Sequence, residues 1–298
     1  MTIDIMLPYY GDVAMMKAAV SSVLAQDDGD FRLTVIDDAY PDPAVPEYFA
    51  GLAAEDPRVV YLRNDTNLGA NANYRKCVAL VEHPITVIMG ADDVMLPGYL
   101  TTVRSAFDDA DVSLVQPGVE VIDENGDVYA PLGDRVKAWV RRRAVGRSSR
   151  AVVAGEAAAA SLMSANWLYF PSVAWRSAEL KTHPFRREYD VVQDLALAID
   201  VVRSGGKIAV LEDVCFRYRR HRQSDSAVRA VDGRRFAEEH RLFAAYAEEF
   251  QRLGWSHAAR AARLHGSSRL HALTLLPQAL STRQWRGLRA LVSHAVLP

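Results

Sequence analysis

The chain has 298 residues, of which 50% are hydrophobic and 24% are charged, and its formal net charge is −2. This composition is typical of a globular protein with one main domain and an appendage, and it lacks the basic surplus of a protein that binds nucleic acid. Cys77 and Cys215 are the only cysteines, which excludes a disulfide framework and a cysteine metal cluster and favours a reducing cytosol.

The N-terminal residues lack the basic segment and the long apolar core of a signal peptide, so we expect no leader. No apolar run reaches the roughly 18 residues that a transmembrane helix needs. We therefore expect a cytoplasmic protein, either free or at the inner membrane surface.

Strands and helices alternate through roughly the first hundred residues, which predicts an α/β fold: a mostly parallel, Rossmann-like sheet flanked by helices. Apolar, β-branched runs indicate strands at residues 3–7, 31–36, 59–62 and 85–89. Pro8 is expected to end the first of these strands. Apolar residues at helical spacing indicate helices at residues 13–25, 47–54 and 70–81.

The pattern is less regular after residue 97. We expect helices at about 98–107, 151–164 and 189–203, and strands at 112–117, 120–122, 168–175, 207–211 and 214–218. Five arginines stand among glycine and serine between residues 141 and 150. This segment predicts either a solvated loop or a mobile lid that meets an anionic substrate.

The chain becomes helical from Asp232 onward, so we divide it into a main domain at residues 1–226 and a C-terminal helical extension at residues 227–298. No acidic residue follows Glu249, whereas seven arginines do. Beside these arginines stands an apolar stripe of Trp285, Leu288, Leu291, Val292 and Val296. The combination predicts either peripheral membrane contact through a basic tail or a helical lid with a solvated basic face. It leaves open whether the chain forms a homodimer.

Two pairs of adjacent carboxylates follow predicted strands. Asp92 and Asp93 come after the strand at 85–89, and Asp37 and Asp38 come after the strand at 31–36. In an open α/β sheet, ligands bind at the carboxyl ends of the strands. Neighbouring carboxylates there suit Mg²⁺ or Mn²⁺, whose remaining ligands can be phosphate oxygens. A solvated acidic turn is the alternative.

Six short motifs occur in a set order over roughly residues 2–226. They are Leu7-Pro-Tyr-Tyr10, Val35-Ile-Asp-Asp38, Asn67-Leu-Gly69 with Asn73, Ala91-Asp-Asp93 with Leu96-Pro97, Gln193-Asp194-Leu195 and Tyr218-Arg-Arg-His221. Each motif alone is weak. The ordered set resembles the family-two glycosyltransferases, which have the nucleotide-sugar-binding GT-A fold.

The resemblance implies a nucleotide-binding role for seven residues: Pro8, Tyr10, Asp37, Asp38, Asn67, Asn73 and Asp92. Tyr10 would pack on the base, and Asp37 or Asp38 would accept a hydrogen bond from a base N–H, such as N3–H of uracil or thymine. The alternative for the two asparagines is that they shape the turn and cap the following helix.

The resemblance also implies a metal site and phosphate contacts. Asp92, Asp93 and His221 would hold Mn²⁺ or Mg²⁺, which would bridge the diphosphate of the donor. The candidates for phosphate contact are Arg217, Arg219 and Arg220. The family usually has aspartate where this chain has Gly90, so the dependence on metal is left open.

Asp194 corresponds to the catalytic base of the family's inverting members, which takes the proton of the acceptor hydroxyl. One more polar position on a helix face is the alternative. Asn166, Trp167, Tyr169 and Trp175 flank the acceptor half in the family's layout, although aromatic strand residues more often lie in a core.

The resemblance therefore predicts an inverting glycosyltransferase. It would move a sugar from a nucleotide diphosphate-sugar, with UDP or dTDP favoured, to a hydroxyl of a glycan, lipid-linked or natural-product acceptor, assisted by a metal. One alternative is a catalytically degenerate nucleotide-sugar-binding module, which Gly90 keeps open. The other is a nucleotidyltransferase on a similar sheet.

Overall fold

The computed structural model describes residues 1–221, 234–281 and 284–296. Its strands are β1 Ile3–Tyr9, β2 Phe31–Asp37, β3 Val59–Arg63, β4 Ile85–Ile88, β5 Val94–Met95, β6 Val112–Ile122, β7 Arg150–Ala154, β8 Ala174–Arg176 and β9 Lys207–Arg219. Its helices within residues 1–221 are α1 Val13–Leu24, α2 Ala44–Glu55, α3 Ala70–Ala79, α4 Tyr99–Ala106, α5 Leu132–Val145, α6 Gly155–Ser164, α7 Ser177–Thr182 and α8 Gln193–Arg203. The helices that follow are α9 Arg234–Arg252, α10 Ser256–Leu264, α11 Gly266–Ser281 and α12 Trp285–Val296.

Within the described residues these strands form one nine-stranded sheet in the order β3-β2-β1-β4-β8-β6-β9-β5, and β7 also pairs with β9. The strands β1 to β4 pair with one another in parallel, as predicted. Beyond β4 the orientations are mixed, because β8 runs antiparallel to both of its neighbours while β6 and β9 are parallel to each other. The predicted α/β sheet flanked by helices is confirmed.

Helices cover both faces of the sheet. Alternate residues of the central strands belong to different cores: Ile5 and Leu7 of β1 pack with α1, α2 and α4, whereas Met6 packs with α3, α6 and α8. This alternation follows from the two-residue period of a strand. Because helices cover both faces, the carboxyl ends of the parallel strands form the open edge of the layered structure.

Pro8 does not end β1, contrary to the prediction. The strand continues to Tyr9, because β1 still pairs with β2 there, through Pro8 opposite Ile36. On the other side β4 pairs only as far as Met6 opposite Ile88. Proline is tolerated where a strand has lost a neighbour on one side, since no ladder bond then needs its missing N–H.

Contrary to the prediction of a loop or a lid, most of the arginine-rich segment lies in regular secondary structure, and only residues 146–149 connect the helix to the strand. Residues 141–145 continue helix α5, and Arg150 begins strand β7, which pairs antiparallel with β9. The helix buries Val140, and the half-buried Arg141 donates from Nη2 to the carbonyl of Leu211, 2.6 Å away. The long stem of an arginine can cover apolar surface in this way, and burial of the guanidinium lowers the pKa of Arg141.

Strands β6 and β9 are each continuous where two short strands were expected. The β6 ladder has register shifts around Gly118, which mark a β-bulge beside Pro117. A side chain at Gly118 would place its Cβ 2.5 Å from the carbonyl oxygen of Glu212. The bulge accommodates the proline, and the missing side chain lets the backbone of β9 approach.

The C-terminal helices divide between two clusters. Helix α9 and helix α10 add to the core beneath α6 and α8, with Phe243, Phe250 and Ala258 buried. Helices α11 and α12 form a small separate cluster with Phe236 and Leu291. The predicted domain boundary between residues 226 and 227 lies outside the described residues. Across the described ranges, no helix is long and apolar enough to cross a membrane.

Candidate functional site

A cleft of about 580 Å³ opens at the carboxyl ends of the parallel strands. Its lining comes from separate parts of the chain: Pro8–Asp12 after β1, Asp38 after β2, Asn67 to Tyr74 around the start of α3, Gly90–Asp93 after β4, Phe170 and Pro171, Asp190 to Asp194 at the start of α8, and Tyr218, Arg219 and His221 at the end of β9. Asp38, Asp92 and Asp194 thus face one cavity. This convergence is what a site for two substrates requires.

Tyr10 lies on the rim of the cleft. It is 56% exposed, and its ring meets Tyr40 edge to face with centroids 5.3 Å apart. Tyr9, one residue earlier, is buried and donates from its hydroxyl to the carbonyl of Gly11 at 2.8 Å. The loop is therefore held by Tyr9, which leaves the face of Tyr10 available to a planar ligand.

The two carboxylates after β2 point to different places. Asp38 lines the cleft, and its Oδ1 accepts from Asn64 Nδ2 at 2.7 Å while its Oδ2 accepts from the backbone N–H of Gly69 at 2.9 Å. Asp37 is fully buried and lies outside the cleft lining. It accepts from the hydroxyl of Tyr61 at 2.6 Å, which ties β2 to β3. Asp38 is therefore the candidate for a base contact.

The asparagines Asn67 and Asn73 line the cleft and also build it. Asn67 Oδ1 accepts from the backbone N–H of Gly69 at 2.9 Å. Asn73 is buried, and its Nδ2 donates to the carbonyl of Ile36 at 3.1 Å, which fixes α3 against β2. Gly69 has φ +81°, a conformation that favours glycine at the turn before α3.

The loop after β4 is held by Arg219. The backbone N–H of Arg219 donates to Asp93 Oδ1 at 2.8 Å, and its Nε donates to the carbonyl of Asp92 at 2.7 Å. Asp93 is buried, and its Oδ2 has no hydrogen-bond partner in the described part of the chain. Burial, and then the charge of Asp92, raise the pKa of Asp93 well above its ordinary value. An orphaned carboxylate oxygen is costly unless a proton or a cation satisfies it.

Gly90 makes room for both carboxylates. A Cβ at this position would lie 2.9 Å from Asp92 Oδ1 and nearer still to Asp93 Oδ2. Any side chain at residue 90 would therefore displace the carboxylates that follow it. The glycine that departs from the expected pattern is required by the arrangement of Asp92 and Asp93.

Asp92 and His221 are spaced as two ligands of one divalent cation would be. His221 Nε2 lies 2.9 Å from Asp92 Oδ2, and two neighbouring ligands of an octahedral ion, each about 2.1 Å away from it, are about 3.0 Å apart. The hydrogen bond that His221 donates to Asp92 raises the pKa of His221. No group of three histidine, cysteine or acidic side chains suited to a metal occurs among the described residues. Such an ion would take its remaining ligands from phosphate and water.

The three arginines predicted to contact phosphate are placed differently. Only Arg219 lines the cleft, and it is committed to the loop after β4. Arg217 pairs with Glu120 at 3.2 Å. Arg220 donates from Nη2 to Asp134 Oδ1 at 2.8 Å. Arg217 and Arg220 lie outside the cleft lining.

Asp194 stands in the first turn of α8. It is far from the β1 loop along the chain, but both line the same cleft. Asn166 donates from Nδ2 to its Oδ2 at 3.1 Å. Burial raises the pKa of Asp194, and the charges of Lys137 and Arg235 partly offset this by lowering it. A carboxylate that faces a cleft with a raised pKa is suited to take a proton.

Two helices support this half of the site: α5, which the sequence pattern did not predict, and α3, which it did. Asp134 of α5 accepts from the hydroxyl of Tyr169 at 2.9 Å, and Lys137 lies 4.8 Å from the centre of the same ring. Burial, with the nearby charge of Arg220, lowers the pKa of Lys137 to about 8. Asn71 of α3 donates to Gln193 Oε1 at 2.8 Å and so positions the start of α8.

Neither Lys137 nor Asn71 lies in a motif that a single sequence could indicate. Trp167 and Trp175, which were weighed as acceptor contacts, are fully buried in the core. Tyr169 is the member of that group that contacts the polar cluster of Asp134 and Lys137.

A family model described as Glycosyl transferase family 2 matches residues 4–173. An uncharacterised protein of Mycobacterium tuberculosis (strain CDC 1551 / Oshkosh) is 31% identical over 114 residues, which are 38% of this chain and 34% of that protein. An uncharacterised glycosyltransferase of Methanocaldococcus jannaschii is 26% identical over 125 residues, 42% of this chain and 43% of that protein. The chain thus matches less than half the length of these curated relatives.

Two crystal structures of a fragment of S. aureus TarS resemble the whole chain. The fragment in complex with UDP-GlcNAc has a TM-score of 0.69 and 14% identity, covering 99% of this chain and 82% of the fragment. The other crystal structure of this fragment has a TM-score of 0.67 and 14% identity, with 99% and 81% covered. At this level of identity the likeness is one of fold.

Proposed function

The chain belongs to glycosyl transferase family 2 and has the predicted GT-A fold, and from this premise we propose that it transfers a sugar with inversion from a UDP- or dTDP-sugar to an acceptor hydroxyl. The observation that carries the proposal is that Asp38, Asp92 and Asp194, from three separate segments, line one cleft. Donor base, diphosphate and acceptor can then lie in one continuous site.

The donor base would lie between Tyr10 and Asp38. Each oxygen of Asp38 faces fixed donors, and the two oxygens of a carboxylate together accept about four hydrogen bonds. Three are used, by Asn64, Leu68 and Gly69. One remaining lone pair suits N3–H of uracil or thymine. The complexes of TarS with UDP-GlcNAc and with UDP support a uridine donor.

The diphosphate would lie above the loop that follows β4. Asp92 and His221 would hold a divalent cation there, with the orphaned Oδ2 of Asp93 beside them. When bound, such an ion neutralises charge on the departing nucleoside diphosphate. Arg219 holds the carboxylate of Asp93 through its backbone N–H and the backbone carbonyl of Asp92 through its Nε. The protein's part is to present these oxygens in a set arrangement before the donor arrives.

Asp194 would act as the general base. As the acceptor oxygen bonds to the anomeric carbon, the bond from that carbon to the diphosphate oxygen breaks, and the hydroxyl proton passes to Asp194. The attack comes from the face opposite the leaving group, which inverts the anomeric centre. Asn166 orients the carboxylate by donating to Oδ2, and this leaves Oδ1 for the acceptor.

A panel of nucleotide sugars with Mn²⁺ tests the proposal. We expect one UDP- or dTDP-sugar to raise the melting temperature and to release nucleoside diphosphate when an acceptor glycan or lipid-linked acceptor is added. The anomeric configuration of the product, read by NMR, should be opposite to that of the donor; retention would overturn the mechanism. Donor binding without any release of nucleotide would favour a binding module.

Asp194→Asn tests the base. The variant should lose transfer while its affinity for the nucleoside diphosphate stays within about a few-fold, because the amide cannot take a proton. Asp190→Asn is the matched control, since Asp190 lines the same cleft four residues earlier. If Asp190→Asn abolishes transfer and Asp194→Asn does not, the assignment of the base is wrong.

A further inference from the structure

Helix α11 exposes an apolar stripe. Leu270, Leu273, Pro277 and Leu280 recur at the spacing of one helix face, and all four are exposed. The three leucines are 49%, 46% and 51% exposed. The opposite face buries Ala272 and Ala279 against the small cluster that includes Phe236. Leu275 and Leu276 are partly buried against the same cluster, so the helix carries leucine on both faces, and a helix that is apolar all round is normally buried on all sides.

Helix α12 repeats the arrangement. Trp285, Arg289, Val292 and Val296 follow one another at steps of four, three and four residues and lie on one face. Trp285 is 62% exposed and Val296 is 69% exposed. A shallow groove on the same helix is lined by Leu288, Arg289, Val292, Ser293 and Val296. Scattered exposed apolar residues are ordinary, but two stripes on two helices of one cluster mark an interaction surface.

The charge of this region selects the partner. From Gly266, where α11 begins, to the last residue the sequence has four arginines and no aspartate or glutamate. Arg289 stands within the α12 stripe and is exposed. A second copy of the chain is disfavoured, because a twofold interface brings the same patch together and would set arginine against arginine. An anionic lipid surface offers both an apolar layer and opposite charge.

We propose that α11 and α12 lie in the plane of an anionic membrane surface, with Leu270, Leu273, Leu280, Trp285, Val292 and Val296 entering the boundary between headgroups and acyl chains. The exposed Arg289 contacts lipid phosphate. Amphipathic helices with tryptophan and arginine bind membranes in this way without crossing them. The site cleft stays in the aqueous phase, on the main domain.

Co-sedimentation with vesicles tests the proposal on the full chain. The wild type should sediment with vesicles of equal parts phosphatidylglycerol and phosphatidylcholine, and should be released by salt. It should not sediment with phosphatidylcholine alone. The triple variant Trp285→Ser, Val292→Ser, Val296→Ser should partition more than about tenfold less. Arg289→Gln alone should partition about fivefold less.

A second triple variant serves as the matched control. Val128→Ser, Leu132→Ser, Trp139→Ser removes residues that are 57%, 60% and 58% exposed elsewhere on the chain, and it should bind vesicles as the wild type does. Equal loss in both triple variants would show general destabilisation and overturn the assignment. So would a wild type that ignores anionic vesicles, or one whose α12 stripe holds a dimer in sedimentation equilibrium. Arg289→Gln and the salt dependence remain decisive if the α12 triple variant does not fold.

Discussion

Replacing Gly90 by alanine would put a methyl group against the carboxylates of Asp92 and Asp93. The added Cβ would lie 2.9 Å from Asp92 Oδ1, whereas a carbon atom needs about 3.5 Å from its non-bonded neighbours. Asp93 Oδ2 is nearer still, so both carboxylates must retreat by about 0.5–1 Å. A retreat of about 1 Å takes the bond from the Arg219 N–H to Asp93 Oδ1, now 2.8 Å, past the usual hydrogen-bond range.

The loss of this hydrogen bond should appear as weaker binding of the donor. A hydrogen bond to a charged group contributes about 1.5–3 kcal/mol, and restoring the arrangement on binding would consume that free energy. We therefore expect Gly90→Ala to bind nucleoside diphosphate with Mn²⁺ about 10–150-fold more weakly than the wild type. Gly90→Asp, which restores the residue usual in the family, should be weaker still, because its side chain is larger.

Titration calorimetry of UDP with Mn²⁺ measures the effect, and a chelator gives the metal-free value. Gly11→Ala is the matched control, since Gly11 lines the same cleft and an added Cβ meets nothing within 4 Å. It should bind UDP as the wild type does. If Gly90→Ala binds UDP and Mn²⁺ as tightly as Gly11→Ala, then the space at residue 90 does not set the carboxylates and the reasoning fails.

Two further results are expected. Asp92→Ala should remove the part of UDP affinity that a chelator removes from the wild type, because Asp92 and His221 form the candidate metal pair; equal chelator sensitivity in the variant would show that the ion is held elsewhere. Transfer should fall as pH drops through the raised pKa of Asp194, since the protonated carboxyl cannot take a proton. Lys137→Met should move this acidic limb of the kcat/KM profile to higher pH, because the charge of the lysine lowers the pKa of Asp194. If the limb does not move, Lys137 does not act on the base.

The ordered motifs predicted the family, the parallel half of the sheet and the convergence on one cleft. They did not predict which carboxylate of a pair serves the site. Asp37 and Asp38 are neighbours, so their side chains leave the strand end on opposite sides. One meets Tyr61 inside the protein and the other meets the cleft. The distinction depends on which face of the sheet carries Tyr61 and which face opens to the cleft, and local sequence does not carry that information.

The acceptor side was predicted less well. Five arginines stand among glycine and serine between residues 141 and 150, a pattern that favours a solvated loop or a lid. Their helix is stabilised by tertiary packing, through Val140 and the bond from Arg141 to Leu211. Tertiary context overrides propensity in such segments. Helix α5 places Lys137 near Tyr169, close enough for its charge to act on Asp194, and no sequence motif indicates this position.

The division of the C-terminal helices between two clusters has a consequence for cooperativity. Helix α10 shares the large core with α6 and α8, so it should open only when the whole main domain unfolds. Helices α11 and α12 are joined to the rest through the small cluster around Phe236. Their amides should exchange with solvent by local opening while the sheet stays protected. The chain can thus loosen its last two helices on a surface and keep the substrate cleft rigid.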